Sequence, residues 1–268
     1  MIFQAAKNTR VSRALIIRMT YVALCLIVPC AISSAYETEY FDWKGLQFYA
    51  VKNYTAAIEQ FDKAIAQDPN YVDGWVHKAD AQRALKDYNA SLKNYSCALD
   101  IDRNKTTALS GIVVAYTAQK DYANASVAAA RLTEIGPKNK ANWLQEGNLL
   151  QMQGLYNESR AKYEGALAID KKYKDALYRE GISYMALGDD AQAIGLFDQA
   201  LQIDPNYKQA LNAKGLALEG ERNYADALYA YDEALDIDPK WTTARANRAQ
   251  ALLALGRLND SMREFVNT

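Results

Sequence analysis

Few side chains in this sequence are equipped for catalysis. His77 is the only histidine, and an imidazole acting as general base or metal ligand needs a nucleophile, carboxylate or second ligand gathered beside it. Of three cysteines, Cys25 and Cys30 lie in the N-terminal apolar segment and only Cys97 remains. It has no disulfide partner in the body of the chain, and its apolar helical neighbours suit an inert core thiol. Asp102, Asp170, Asp204 and Asp238 each follow an isoleucine and would be candidate cation ligands, but multiples of 34 residues separate them. That spacing puts them at equivalent helix ends, as capping and turn groups. The sequence holds no phosphate loop, dinucleotide fingerprint, paired-histidine helix or CxxC pair. The expectation is a protein that is not an enzyme, with no metal and no cofactor, and with His77 as a surface or groove side chain.

One modification chemistry is over-represented. Asn-x-Ser/Thr sequons stand at Asn53, Asn89, Asn94, Asn104, Asn124, Asn157 and Asn259, where 17 asparagines and 21 Ser or Thr in 268 positions would give about 1.3 by chance. Five of them, Asn53, Asn89, Asn124, Asn157 and Asn259, fall at the turn between two helices of a hairpin. N-glycosylation is one reading; repeat duplication of a residue that suits turns is the other.

The elements that position these residues follow from a period. Rows of 34 residues from Thr38 align without insertion or deletion through Trp241. The columns read Gly45, Ala79, Val113, Gly147, Gly181, Gly215, Ala249 on a first helix, and Phe61, Tyr95, Tyr163, Phe197, Tyr231, Phe265 on a second. A small residue lets the partner helix approach, and the aromatic fills the gap. Ala64, Ala98, Ala166, Ala200 and Ala234 leave room for the next repeat. Asp-Pro-Asn-Tyr at 68–71 and 204–207 ends one helix and turns into the next, because proline lacks an amide and restricts its predecessor. Ala129 and Leu132 exchange large for small in the third row, which makes it the weakest and its joint the softest.

The pattern Phe41-x-x-Lys-Gly45-x-x-Phe48, then Ala57, Phe61, Ala64 and Pro69, resembles the tetratricopeptide repeat signature. The resemblance covers essentially everything after residue 37. It implies an all-α fold, an α-solenoid or right-handed superhelix of about seven helix-turn-helix repeats at 38–71, 72–105, 106–139, 140–173, 174–207, 208–241 and 242–268. It also implies a concave groove lined by the first helices, which accepts protein or peptide. By repeat position the groove holds Asp42, Tyr49, Val76, Asp80, Arg83, Leu144, Asn148, Gln151, Tyr178, Arg179, Ile182, Met185, Asn212 and Glu219. The Lys and Asn pairs that clamp a C-terminal carboxylate in chaperone-binding relatives are absent from those positions.

Charge and the N-terminus bear on location. Lys7, Arg10, Arg13 and Arg18 occupy a first 35 residues free of acid, leaving 27 basic against 32 acidic groups in the rest. A mildly acidic body does not suit nucleic acid, which needs clustered Lys and Arg. The apolar run Met19 to Ile32, broken by Pro29 and followed by Ser33-Ser34-Ala35, reads as an export signal cleaved before Tyr36 or, alternatively, as an uncleaved anchor. Ile27-Val28-Pro29-Cys30 matches a lipoprotein box only loosely. Either reading makes 1–35 a targeting or anchoring segment and puts the body outside the cytoplasm. The function expected is an exported scaffold that meets the membrane through its N-terminal segment alone; the alternative is a self-associating, glycosylated envelope component.

Overall fold

The computed structural model describes residues 30–266, and side chains within 35–263. The signal or anchor up to residue 29, the Phe265 side chain and Thr268 lie outside the described residues. Fourteen helices and no strand occur among those described. The first helices of successive hairpins are α1 (Cys30–Ala50), α3 (Val72–Ala84), α5 (Thr106–Ala118), α7 (Lys140–Met152), α9 (Lys174–Ala186), α11 (Lys208–Gly220) and α13 (Thr242–Ala254). The second helices are α2 (Tyr54–Gln67), α4 (Tyr88–Ile101), α6 (Tyr122–Ile135), α8 (Tyr156–Ile169), α10 (Asp190–Ile203), α12 (Tyr224–Ile237) and α14 (Leu258–Val266). This is the all-α solenoid of helical hairpins that the resemblance implies. Helix α1 is 21 residues long where the later first helices have 13, because it begins at Cys30 and runs unbroken through Tyr36. The chain divides into two compact units between Ala128 and Ala129, within α6 and at the row where the columns change.

Turn chemistry sets the helix ends. At the hairpin turns Asn53, Asp87, Asp189 and Asn223 cap the second helix by accepting an amide three residues on. At the opposite ends Asp68, Asp102, Asp170, Asp204 and Asp238 are extended, and each accepts the amide two residues ahead while its own N–H closes the last helical turn. The recurrent carboxylates are therefore spent on turns. In the second unit three of them also take a lysine from the start of the same hairpin: Lys140–Asp170 at 2.5 Å, Lys174–Asp204 at 2.5 Å and Lys208–Asp238 at 2.6 Å. The same ammonium groups lie 4.4, 5.0 and 5.2 Å from the ring centres of Tyr173, Tyr207 and Trp241. The hydrogen bond from each lysine holds its aspartate below the usual carboxylate range.

The core is the pair of columns. Phe61, Tyr95, Tyr163, Phe197 and Tyr231 are fully buried. A Cβ at Gly181 would stand 2.5 Å from the Phe197 ring, and one at Gly45 2.3 Å from Phe61, so only glycine allows this separation. Ala129 and Leu132 are both buried, as a large-for-small exchange requires. A third set of contacts joins the second helix of one repeat to the first helix of the next. Lys78 meets Asp62 at 2.6 Å, Lys214 meets Asp198 at 2.6 Å and Arg248 meets Asp232 at 2.7 Å.

Candidate functional site

The first-helix face of the first unit carries two polar networks. Asp42 on α1 accepts Tyr71 Oη at 3.1 Å and meets His77 Nδ1 of α3 at 2.7 Å, while the His77 ring packs on Phe61 with centroids 5.6 Å apart. Burial alone would lower the His77 pKa, but the hydrogen bond to Asp42 and the charges of Asp42, Asp73 and Asp80 carry it above its ordinary value. One turn further along α3, Arg83 donates to Asp80 at 2.9 Å and to Tyr95 Oη at 3.1 Å, and Tyr95 in turn donates to Asp80 at 2.5 Å. Burial and the bond to Asp80 push the Tyr95 phenol up, so it stays a donor. Asp80 and Arg83 form one wall of a cavity of about 330 Å³ whose other wall is Thr106, Thr107, Ser110, Gly111 and Val114 of α5. Tyr49 lies near this network, edge-on to Tyr54 at 5.2 Å.

In the second unit the face is more apolar. Tyr178 packs against Tyr207 and Phe197, with centroids 5.3 and 6.0 Å apart, and the Arg179 guanidinium lies 5.6 Å from the Tyr178 ring centre. Ile182 and Met185 continue the row, half-buried against Ala193, Phe197, Ala213 and Ala217. The amides expected beside them are fixed. Asn148 accepts Tyr163 Oη at 3.0 Å, and Gln151 donates to Arg179 O at 3.1 Å and Ser183 Oγ at 2.9 Å. Leu144 is half-buried, as is Glu219, whose carboxyl burial pushes above its usual range.

Three of the fourteen groove positions are closed. Asp42, Val76 and Asn212 are 6, 3 and 8% exposed. Asp42 is consumed by Tyr71 and His77, Val76 sits in the core with Tyr95 and Ala108, and Asn212 accepts Asn247 Nδ2 at 2.9 Å. His77 is likewise tied down, and Cys97 is a free thiol of intermediate exposure. Ser110 and Val114, which line the cavity, occupy the same columns as Leu144 and Asn148 and could have been named from the repeat position. Among the sequons Asn53, Asn89, Asn104, Asn124, Asn157 and Asn259 are exposed. Asn94 is 7% exposed, and its Nδ2 donates to Gln82 at 2.5 Å and to Ala90 O at 3.0 Å. A sugar on that nitrogen would replace one of its two N–H groups, break one of these bonds and need space that the buried side chain lacks, so Asn94 is not an acceptor in the folded chain. No group of three or more potential metal ligands is assembled among the described residues.

Fold and face together define a helical-repeat class in which, within each unit, stacked hairpins present a row of first helices. The profile of the family described as tetratricopeptide repeat matches residues 44–104, 144–208 and 178–240, more than half of the sequence. The chain belongs to the tetratricopeptide repeat family. The third row, the weakest by its columns, falls between the matched segments. A tetratricopeptide repeat protein from Parabacteroides merdae superposes with a TM-score of 0.66 at 15% identity, covering 86% of this chain and 91% of that one. YrrB, described as a TPR protein with an unusual peptide-binding site, superposes at 0.58 with 21% identity, covering 69% and 95%. The sti1 homolog of Schizosaccharomyces pombe, a heat shock protein, is 29% identical over 93 residues, 35% of this chain and 16% of that relative.

Proposed function

We propose that this protein is a non-catalytic, exported scaffold that holds an extended peptide or protein segment along its first-helix face. Tetratricopeptide repeat proteins are protein-interaction scaffolds. The observation that carries the finer reading is the row Tyr178, Ile182 and Met185 beside Arg179, half-buried and backed by the fixed amides of Asn148 and Gln151. Rigid aromatic and apolar anchors next to a guanidinium are the composition of binding hot spots. Networks that leave few polar groups free suit recognition by shape and apolar contact. The basic, apolar N-terminal segment supports export, and the six exposed sequons suit N-glycans where the host supplies them. A native mass equal to the unmodified mature chain would end the glycan proposal.

Ile182→Asp with Met185→Asp tests the face. Both side chains are half-buried on the row, so a variant that retains its helical spectrum and melting midpoint loses partner capture in photocrosslinking from native envelopes. Unchanged capture would remove the assignment. The alternative, self-association through end repeats, meets an obstacle at the N-terminal end. The position of Tyr40 holds Gly74, Ala108, Asn142, Ala176, Ala210 and Ala244 in later rows, small in all but Asn142, where the preceding second helix packs close; a Cβ at Gly74 would lie 3.2 Å from Ile65. Tyr40 and the exposed Gln47, in a column otherwise of Ala, Leu or Ser, close α1 to a stacked neighbour.

A further inference from the structure

At three of the six joints between successive repeats a cation on the first helix meets an aspartate on the preceding second helix. Lys44, Lys78, Lys214 and Arg248 share a first-helix column, and Lys78, Lys214 and Arg248 meet an aspartate 16 residues earlier on the preceding second helix. The same column holds Ile112 in row three and Glu146 and Glu180 in rows four and five. Glu146 is paired within its own hairpin, by Lys162 at 2.8 Å. Glu180 has no such cation. It is 6% exposed on α9, and the residue 16 positions earlier, on α8, is Glu164. An acid therefore shares the α8–α9 joint with an acid, and Glu164, more than half exposed, has Arg160 of its own helix at 3.9 Å.

At that joint hydrogen bonds also replace apolar packing in one column. Ser183 occupies the column of Ala81, Ala115, Leu149, Ala217 and Ala251, and shares a hydrogen bond of 2.8 Å with Ser159 of α8. Gln151 of α7 reaches Ser183 and Arg179 O, and Arg160 of α8 donates to Tyr184 Oη. A joint held by directional bonds tolerates little displacement before they fail. Burial, then the charge of Glu164, push Glu180 up to about 7, with Arg160 pulling the other way. No charged group of α7, α10 or α11, the other helices packed against α9, adds to these.

We propose that the α8–α9 joint is proton-operated: with Glu180 neutral it is closed, and with Glu180 ionised the two carboxylates repel and the joint loosens. The row of Tyr178, Arg179 and Ile182 lies on α9, and Asn148 and Gln151 lie on α7, so the device sets the spacing of the face across repeats four and five. A carboxyl whose folded pKa is raised stabilises the fold fully below its unfolded value, near 4.5, and that contribution is lost as pH rises through about 7.

The test is made on the full chain and on the variants Glu180→Gln and Glu180→Lys. The Glu180 carboxyl carbon titrates near pH 7 by NMR. Amide protection in α9, corrected for intrinsic exchange, falls about tenfold from pH 5.5 to 8 relative to α11 and α12. Both variants abolish that fall, the glutamine by removing the charge and the lysine by meeting Glu164 as Lys214 meets Asp198. Titration near 4.5, or an equal fall in the variants, overturns the proposal.

Discussion

Asp42 uses one oxygen for His77 and the other for Tyr71, fastening α1 to α3 and to the loop before it. Because the His77 pKa is raised in the fold, the stability it contributes is fully present below the unfolded value, about 6.5, and is lost as pH rises through the higher folded value. Asp42→Asn keeps the shape and removes the charge. It should cost about 1–3 kcal/mol at pH 5.5 and less at pH 8, with the His77 Cε1 proton titrating at lower pH in the variant. An unmoved titration would show that Asp42 does not set the histidine. The effect belongs to α1–α3, so helix-resolved exchange separates it from the Glu180 joint. At this scale the sequence was least readable. Columns say which helix face a residue joins, but Asp42, Asp80, Asn148, Gln151 and Asn212 were assigned to a ligand when each is partly or wholly engaged by a neighbouring side chain or backbone. Whether a groove amide is free depends on what stands 15, 28 or 35 residues away, and three rows must be superposed to see it.

The helices themselves were legible because 34-residue spacing fixes both packing columns and both turns, and between the longer α1 and the shorter α14 the structure returns first helices of 13 and second helices of 14 residues. One element-level cost was not visible. The last residue but one before each second helix adopts positive φ, and glycine fills it at Gly154, Gly188 and Gly256 while Lys52, Lys86, Lys120 and Arg222 take φ of 60 to 64°. A side chain in the left-handed region costs about 1 kcal/mol, so Lys86→Gly and Arg222→Gly should each stabilise by about that amount in urea denaturation. Loss of stability would mean that these side chains make contacts outweighing the strain. Glycines inside helices divide in the opposite sense. Gly195 in α10 has nothing within 4 Å of a built Cβ, whereas Gly181 in α9 has the Phe197 ring at 2.5 Å. Gly195→Ala should stabilise by about 0.5–1 kcal/mol and Gly181→Ala destabilise by about 1–3 kcal/mol; midpoints moving in the same direction would contradict the packing described.

In a linear array each hairpin touches only its neighbours, so stability is a sum of repeat and joint terms and damage stays local. The fold divides accordingly, at Ala128 and Ala129. The second unit carries the three lysine bridges that tie the start of a hairpin to its end, and the first carries the Asp42–His77 and Asp80–Arg83–Tyr95 networks. Phe197 is fully buried in the second unit, packed with Ala193, Ala213 and Ala217 beneath Tyr178, Ile182 and Met185. Phe197→Ala should cost about 3–5 kcal/mol, enough to open repeats five and six at moderate urea. In a globular core of this size such a cavity would lower protection everywhere. Here amide exchange should rise across 174–241 and remain at the wild-type level in α2, α3 and α4, with a denaturation curve that broadens into two steps. Uniform loss of protection along the chain would show instead that the two units unfold as one cooperative body.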